Sequence, residues 1–424
     1  PYDVVNFRFL EGWDDWTLRT SDCLKQECAT VIANGGKCLV GDAIYPTGEL
    51  EPAVYDAIKE TYSFVRQRED LCLGAEPILY IGVLHSSTTF YWKGGGEIMV
   101  PYGPCMRGEV VEVDPLVPIR GAHKALVESG FHFSILNEEI LRKKLKSLKG
   151  LVLPDQVALD RETVEAIRDF VKAGGGLVAT YLTSLKDEKG SPQENFALAD
   201  LLGVKYSGLL PHNVAYLRVN DDSLGRGLPN MPILVREPFA KVETVTARRL
   251  ANLVLPMTSS LETKGTFAGF AAPGKEASCP AVTLNEFGEG KVVYVATDIF
   301  SDCWKRGDAW NRRLAKNMLD LVVKEKVLII DSPPFVEVAL AEQRERRRTI
   351  VHLVNIHEGR RVTQINPSVE GFPKLEVDLK LRYTSEPKKV YSIPEDTKVE
   401  WKRDGEYLAV KIGGIEIHSA LVIE

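Results

Sequence analysis

Residues 150–182 read GLVLPDQVALDRETVEAIRDFVKAGGGLVATYL, a stretch that moves from a short apolar run to a helical period and back. The run GLVL predicts a buried strand, and RETVEAIRDFVKA predicts an amphipathic helix. The three glycines at 174–176 predict the end of this helix, because glycine readily adopts the left-handed conformation that closes one. LVATYL then predicts a second strand. A strand, a crossover helix and a strand form a parallel unit, so this stretch predicts a doubly wound α/β sheet.

The same alternation continues on both sides of this unit. It starts at the strand PILYIGVL, residues 77–84, and ends with the strand GKVVYVATD and the helix AWNRRLAKNMLDLVV, residues 290–298 and 309–323. The stretch between about 205 and 285 is less regular and predicts extra strands and loops. We therefore predict one doubly wound domain over residues 73–325.

The first 70 residues predict a shorter version of the same pattern. The order is a strand (YDVVNFRFL), a helix (TLRTSDCLKQECATVIANGG), a strand (KCLVGDA) and a helix (EPAVYDAIKETYSFVRQRED). Two parallel strands do not form a stable sheet alone, so we expect residues 1–72 to be the end of a longer domain. The chain begins with Pro1, which is consistent with a segment upstream. We also expect residues 1–70 to be poorly ordered or to depend on packing against the middle domain.

Residues 326–424 change to a period of two. VEVALAEQRERRRTIVHLVNIH, KLEVDLKLR, KVEWKRDGEYLAVKI and IEIHSALVIE all alternate apolar and polar residues. This pattern predicts antiparallel strands, and the sequence RDGE between two of them predicts a hairpin turn. We predict a C-terminal antiparallel β-sandwich.

The composition excludes several classes of function. The chain has 424 residues, a net charge of −6 and 44% hydrophobic residues. This charge gives no reason to expect a nucleic acid or an anionic membrane as partner, and no apolar run is long enough to span a bilayer. The seven cysteines include no CxxC pair, and His85 and His123 stand alone, so we predict free thiols in a cytoplasmic protein, with no metal and no cofactor.

Three stretches carry a resemblance to a known family. They are residues 33–69 (ANGGKCLVGDAIYPTGELEPAVYDAIKETYSFVRQRE), 152–185 and 290–322. They resemble the C-terminal half of family 42 β-galactosidases and related glycosidases. The resemblance implies that residues 1–72 end a (β/α)8 barrel. It also implies that residues 73–325 form a trimerisation domain with a flavodoxin-like fold, similar to class I amidotransferases. The protein would then be a homotrimer, and its substrate would be a carbohydrate.

The resemblance also implies a catalytic site. The first strand would be the seventh of the barrel and KCLVGDA the eighth, and residues at the carboxyl ends of barrel strands line active sites. Glu11 then matches the nucleophile of a retaining glycosidase, although Asp14 or Asp15 could serve instead. The acid/base would come from strand four, which this sequence lacks, so we expect the chain alone to be inactive. The predicted substrate-binding residues are Trp13, Asp14, Trp16, Asp42 and Tyr45.

Simpler explanations stand beside these assignments. Glu11 can be a solvated loop carboxylate, the tryptophans can pack in a barrel rim, and Asp42 and Tyr45 can shape the loop around Pro46. The middle domain shows Thr180-Tyr181-Leu182 where an amidotransferase carries its nucleophilic cysteine, so we expect this fold to be catalytically silent. The alternative function is a non-catalytic assembly or carbohydrate-binding module, and a third is an active amidotransferase or peptidase with a reactive thiol.

Overall fold

The structure, a computed structural model, describes residues 2–10, 16–94, 96–99, 110–212, 214–257, 272–357, 369, 371–395 and 397–424. The chain forms two compact units. Residues 1–78, 130–132 and 326–424 belong to the first unit, and residues 79–129 and 133–325 belong to the second. No helix in the described parts of the chain is long and apolar enough to cross a membrane.

The elements are numbered along the chain. The helices are α1 Ser21–Ala33, α2 Pro52–Arg66, α3 Glu69–Cys72, α4 Ser87–Lys93, α5 Val117–Val127, α6 Glu138–Lys144, α7 Arg161–Lys172, α8 Ala199–Leu202, α9 Ile299–Arg306 and α10 Ala309–Val322. The strands of the first unit are β1 Asp3–Phe7, β2 Lys37–Gly41, β3 Glu76–Pro77, β17 Leu328–Asp331, β18 Val336–Gln343, β19 Arg348–Asn355, β20 Leu375–Arg382, β21 Val390–Ile393, β22 Lys398–Asp404, β23 Tyr407–Ile415 and β24 His418–Ile423. Those of the second unit are β4 Ile81–Leu84, β5 Gly96–Met99, β6 Val110–Val113, β7 Phe133–Leu136, β8 Gly150–Leu153, β9 Gly176–Thr180, β10 Val204–Leu209, β11 Ala215–Val219, β12 Ile233–Val235, β13 Ala240–Thr244, β14 Arg248–Pro256, β15 Pro273–Phe287 and β16 Gly290–Val295.

The second unit is built on a nine-stranded sheet in the order β12-β11-β14-β15-β16-β9-β8-β4-β7. The strands from β16 to β7 pair in parallel, and those from β12 to β16 pair antiparallel. The central β8-α7-β9 crossover is the unit predicted from residues 150–182, and the extra strands predicted between 205 and 285 are β10 to β15. The sequence prediction of a mixed α/β domain with a parallel core is confirmed.

Local sequence explains this crossover. The Asp160 side chain accepts a hydrogen bond from the Thr163 amide and so caps the first turn of α7. Gly174 ends the helix with a φ of +106°, as the glycine run predicts. Gly176 is the first residue of β9. A Cβ atom at this position would lie only 2.5 Å from the Val322 carbonyl oxygen of α10, so the close approach of α10 to β9 requires glycine there.

The first unit joins both ends of the chain. Strands β17-β20-β23-β22 and β21-β24-β19-β18-β3 form two antiparallel sheets that share one apolar core. The RDGE turn joins β22 and β23 as a hairpin, with Asp404 opposite Tyr407. The antiparallel prediction for residues 326–424 is therefore confirmed.

Strands β1 and β2 form a separate parallel pair beside this core. Val5 faces Leu39 in the register, and both side chains are about half exposed, at 50% and 48%. Helix α1 packs its Ala29 and Ala33 against a cluster that includes Val354 of β19. We expected residues 1–70 to be poorly ordered or to depend on packing against the middle domain. The structure groups them with the C-terminal strands, against which the small side chains of α1 pack, so the expected partner was wrong.

Candidate functional site

Arg8 lies directly after β1 and is the buried centre of the candidate site. Its backbone amide donates to the Gly41 carbonyl oxygen at 3.2 Å, which extends the β1–β2 pairing by one step. Its side chain is 2% exposed, and Nε donates to Asp42 Oδ1 at 2.6 Å. Nη1 donates to the Thr17 carbonyl oxygen at 2.7 Å. These contacts hold the guanidinium at the carboxyl end of the parallel pair.

Asp42 occupies the equivalent position after β2. Its side chain is 6% exposed, and Oδ1 accepts from both Arg8 Nε and the Ala43 amide. A buried carboxylate is stabilised by such a charge-assisted pair. Asp42 and Arg8 therefore form a buried ion pair with little net charge. It lies at the carboxyl ends of the two strands, where the sequence analysis predicted Asp42.

This pair leaves polar atoms unsatisfied. Among the described residues, Asn6 Nδ2, Arg8 Nη2 and Asp42 Oδ2 are buried without a hydrogen-bond partner. Leaving a buried polar atom unpaired costs about 1–3 kcal/mol, and more for a charged group. Groups left unpaired at this cost are often ones that a ligand or a further protein segment satisfies.

Trp16 and Tyr45 form an aromatic pair, and the Trp16 ring of this pair covers the guanidinium of Arg8. The rings of Trp16 and Tyr45 are stacked, with centroids 4.8 Å apart and an interplanar angle of 29°. Arg8 Cζ lies 4.9 Å from the Trp16 ring centroid. Trp16 is 52% and Tyr45 36% exposed, so the pair presents an aromatic face to solvent. The Tyr45 hydroxyl donates to Glu51 Oε2 at 2.8 Å, and this hydrogen bond raises the pKa of Tyr45.

The predicted site residues fall into two groups. The structure brings Trp16, Asp42 and Tyr45 together around Arg8. Glu11, Trp13 and Asp14 lie outside the described residues, so their predicted roles stay predictions. The sequence analysis did not identify Arg8 as a site residue. The sequence NFRFL, with an arginine between two phenylalanines, could have indicated it, because a charged side chain in an apolar strand needs a polar partner.

The carboxyl edge of the second unit holds a different polar group. Asp155 follows β8 and Tyr181 follows β9, and both adopt left-handed backbone, with φ of +49° and +50°. Lys93 Nζ donates to Asp155 Oδ2 at 2.5 Å, and the Leu182 amide donates to Oδ1 at 3.1 Å. Burial raises the pKa of Asp155 to about 6.

Tyr181 occupies the turn after β9, where the resemblance to amidotransferases predicts a nucleophile. Burial raises the pKa of its hydroxyl, so it stays protonated at neutral pH and is a poor nucleophile. Cys279 lies within β15, and Cys303 lies within α9, where burial raises the pKa of its thiol. Cys105 is outside the described residues. Cys279 and Cys303 both lack the exposed, thiolate-favouring surroundings of a catalytic cysteine.

The middle of the chain matches a known family. The family described as the β-galactosidase trimerisation domain matches residues 113–328, just over half of the chain. The chain belongs to this family. Membership in the β-galactosidase trimerisation domain family indicates a homo-oligomer, as the resemblance implied.

Relatives of this trimerisation-domain chain are longer glycosidases. The β-galactosidase BbgII of Bifidobacterium bifidum is 26% identical over 180 residues, which are 41% of this chain and 22% of that protein. The solved α-L-fucosidase isoenzyme 2 of Paenibacillus thiaminolyticus matches with a TM-score of 0.82 at 22% identity, over 99% of this chain and 60% of that one. A β-galactosidase of Bacillus circulans sp. alkalophilus matches with a TM-score of 0.63 at 14% identity, over 99% and 55%. The chain thus has the fold of the C-terminal portions of the two solved enzymes, and it spans 60% or less of the length of each of these relatives.

Proposed function

We propose that this chain is the C-terminal part of a retaining glycoside hydrolase that acts on galacto-configured glycosides such as β-galactosides. The observation that carries the proposal is the cluster of Arg8, Asp42, Trp16 and Tyr45 at the carboxyl ends of two parallel strands. Polar residues at this end of the strands line the active sites of (β/α)8 barrels. Trp16 and Tyr45 add an exposed aromatic face of the kind against which sugar rings stack.

The architecture supports three proposed domains. Residues 1–72 are the last two β-α units of a barrel, and further barrel strands cover the face on which Val5 and Leu39 are exposed. Residues 73–325 are the doubly wound, amidotransferase-like trimerisation domain, which is catalytically silent because Tyr181 stands at the nucleophile turn. Residues 326–424 are the β-sandwich. The proposed assembly is a homotrimer.

The proposed class of sugar rests on the relatives and solved proteins to which this chain is similar. Those proteins are named as β-galactosidases and an α-L-fucosidase. L-Fucose is a deoxy form of L-galactose, so both sugars present a cis-related pair of adjacent ring hydroxyls. The feature that the proposed site recognises, a cis-related pair of adjacent ring hydroxyls, is therefore present in both sugars.

The proposed mechanism needs two carboxyl groups. Glu11 attacks the anomeric carbon as the nucleophile, while an acid from strand four protonates the leaving oxygen. The same group, now a carboxylate, then deprotonates the water that releases the sugar from Glu11. The chain alone holds two strands of the barrel and one of these groups, so it is inactive by itself.

The test uses the reading frame extended upstream of Pro1. The extended protein is expected to hydrolyse a nitrophenyl β-D-galactoside or α-L-fucoside, and the 424-residue chain is expected not to. Glu11→Gln should lower the rate by several orders of magnitude, whereas Glu49→Gln in the exposed loop after β2 is the matched control. An extended protein that binds glycosides without hydrolysing them supports the alternative of a carbohydrate-binding or assembly module.

A further inference from the structure

The unsatisfied atoms of Arg8 and Asp42 define a specific chemistry. Arg8 Nη2 is a hydrogen-bond donor and Asp42 Oδ2 an acceptor, and both are buried without a partner among the described residues. They belong to side chains that are already joined, with Nε 2.6 Å from Oδ1. Asn6 Nδ2 adds a second free donor two residues before Arg8, and residues two apart on a strand point to the same side.

We propose that Arg8 and Asp42 together bind a cis-related pair of ring hydroxyls on the sugar. Nη2 donates to the oxygen of one hydroxyl, and the adjacent hydroxyl donates to Asp42 Oδ2. This inference rests on the proposed glycosidase function, and it makes Arg8 and Asp42 the residues that select the galacto configuration.

The charge balance favours a neutral ligand. The guanidinium and the carboxylate already neutralise each other, so an anion at Nη2 would meet the Asp42 carboxylate, and a cation at Oδ2 would meet the guanidinium. A pair of hydroxyls supplies one acceptor and one donor, and it leaves no charge buried. A diol therefore satisfies both orphaned atoms at once.

Trp16 controls access to this pair. Its ring covers the guanidinium at 4.9 Å from Cζ, yet the residue is 52% exposed and its ring stacks on that of the half-exposed Tyr45. A sugar reaches Nη2 and Oδ2 when the indole rotates off the guanidinium, and the ring then packs on the apolar face of the sugar. Binding must therefore change the environment of Trp16.

The geometry predicts discrimination between configurations. In galactosides two adjacent ring hydroxyls are cis, whereas all adjacent ring hydroxyls of a β-glucoside are trans. A glucoside can engage only one member of the Arg8–Asp42 pair and leaves the other buried and unpaired. Sites that depend on such hydrogen bonds reject the mismatched ligand strongly.

The experiment titrates the protein extended upstream of Pro1, with Glu11→Gln to stop hydrolysis, with methyl β-D-galactopyranoside and methyl β-D-glucopyranoside by ligand-observed NMR. The glucoside is expected to bind at least about tenfold more weakly, because it loses a hydrogen bond to a charged group. With 5-fluorotryptophan incorporated, the Trp16 fluorine resonance, assigned by Trp16→Phe, should shift with the galactoside.

Two variants separate recognition from folding. Arg8→Lys removes the free guanidinium nitrogen and should reduce the preference to within about twofold. Asp42→Asn is the second variant. Its amide oxygen stays with Arg8 Nε and the Ala43 amide, so the NH2 group replaces Oδ2 and puts a donor where an acceptor is needed. The matched control is Arg68→Lys, an equally buried arginine of the same unit, which should keep the preference.

Several results overturn the inference. Equal affinity for both glycosides, a preference that survives in a folded Arg8→Lys or Asp42→Asn variant of the extended protein, or no binding of either glycoside to the folded extended protein would each do so. The proposed function fails separately, when the extended protein hydrolyses no galactoside or fucoside. Hydrolysis with no configurational preference would leave the function in place and remove this role of Arg8 and Asp42.

Discussion

His132 gives the first unit a stability that depends on pH. The side chain is 4% exposed, with Nε2 2.7 Å from the Ile78 carbonyl oxygen, and the Leu340 amide donates to Nδ1 at 3.3 Å. The neutral ring with its proton on Nε2 satisfies both contacts. A second proton on Nδ1 would point at the Leu340 amide. Burial lowers the pKa of His132 to about 4 from an ordinary value of 6.5.

The sign of the effect follows from which state binds the proton. Between pH 6.5 and pH 4 the unfolded chain is protonated at this position and the folded chain is not, so the free energy of unfolding falls as the pH falls. The stabilisation that the neutral His132 side chain provides is fully present above pH 6.5. Lowering the pH from 7 to 5 costs about 2 kcal/mol through His132 alone, and the loss levels off near 3 kcal/mol below pH 4.

The measurement is urea unfolding of the wild type and His132→Gln at pH 7 and pH 5. The 5-fluorotryptophan signal of Trp401 in β22 reports on the same unit. The wild type should lose about 2 kcal/mol more than the variant between the two pH values, since other titrating groups are common to both. His212→Gln, at a partly exposed histidine, should behave like the wild type. Equal losses in the wild type and His132→Gln would refute the reasoning.

Two further predictions concern packing and thiol reactivity. A Cβ atom on Gly121 of α5 would lie 1.8 Å from the Phe300 carbonyl oxygen of α9, so Gly121→Ala should destabilise the second unit by about 3 kcal/mol, and an unchanged Tm in calorimetry would contradict this. A hydrogen bond with the Cys28 thiol lowers the pKa of Cys38 to about 7, whereas burial raises that of Cys303. Iodoacetamide at pH 7 should therefore label Cys38 in the folded chain well before Cys303, and equal rates in peptide mapping would count against it.

Local periodicity accounts for the parts of the fold that the sequence predicted well. Apolar side chains three and four apart placed α7, and the glycine run placed its end, because both depend only on neighbours in the chain. The alternating strands after residue 326 were equally accessible, since a period of two specifies which face is buried.

Tertiary partners were harder to predict. Nothing local in α1 says that Ala29 and Ala33 pack on strands more than 300 residues away. The burial of Arg8 depends on Asp42, which is 34 residues on, so the ion pair appears only once β1 and β2 are aligned. Sequence patterns located the ends of the two strands, but they did not show which atoms there would be left unsatisfied.

The measurement that tests the central claim most directly is covalent trapping of the nucleophile. The extended protein is incubated with a 2-deoxy-2-fluoro galactoside or fucoside that carries a dinitrophenolate leaving group, which traps the glycosyl-enzyme of a retaining enzyme. Tryptic digestion then releases the peptide FLEGWDDWTLR, residues 9–19. A retaining glycosidase with Glu11 as nucleophile predicts one fluorosugar on that residue. A hydrolysing enzyme whose label lies on another peptide would contradict the account.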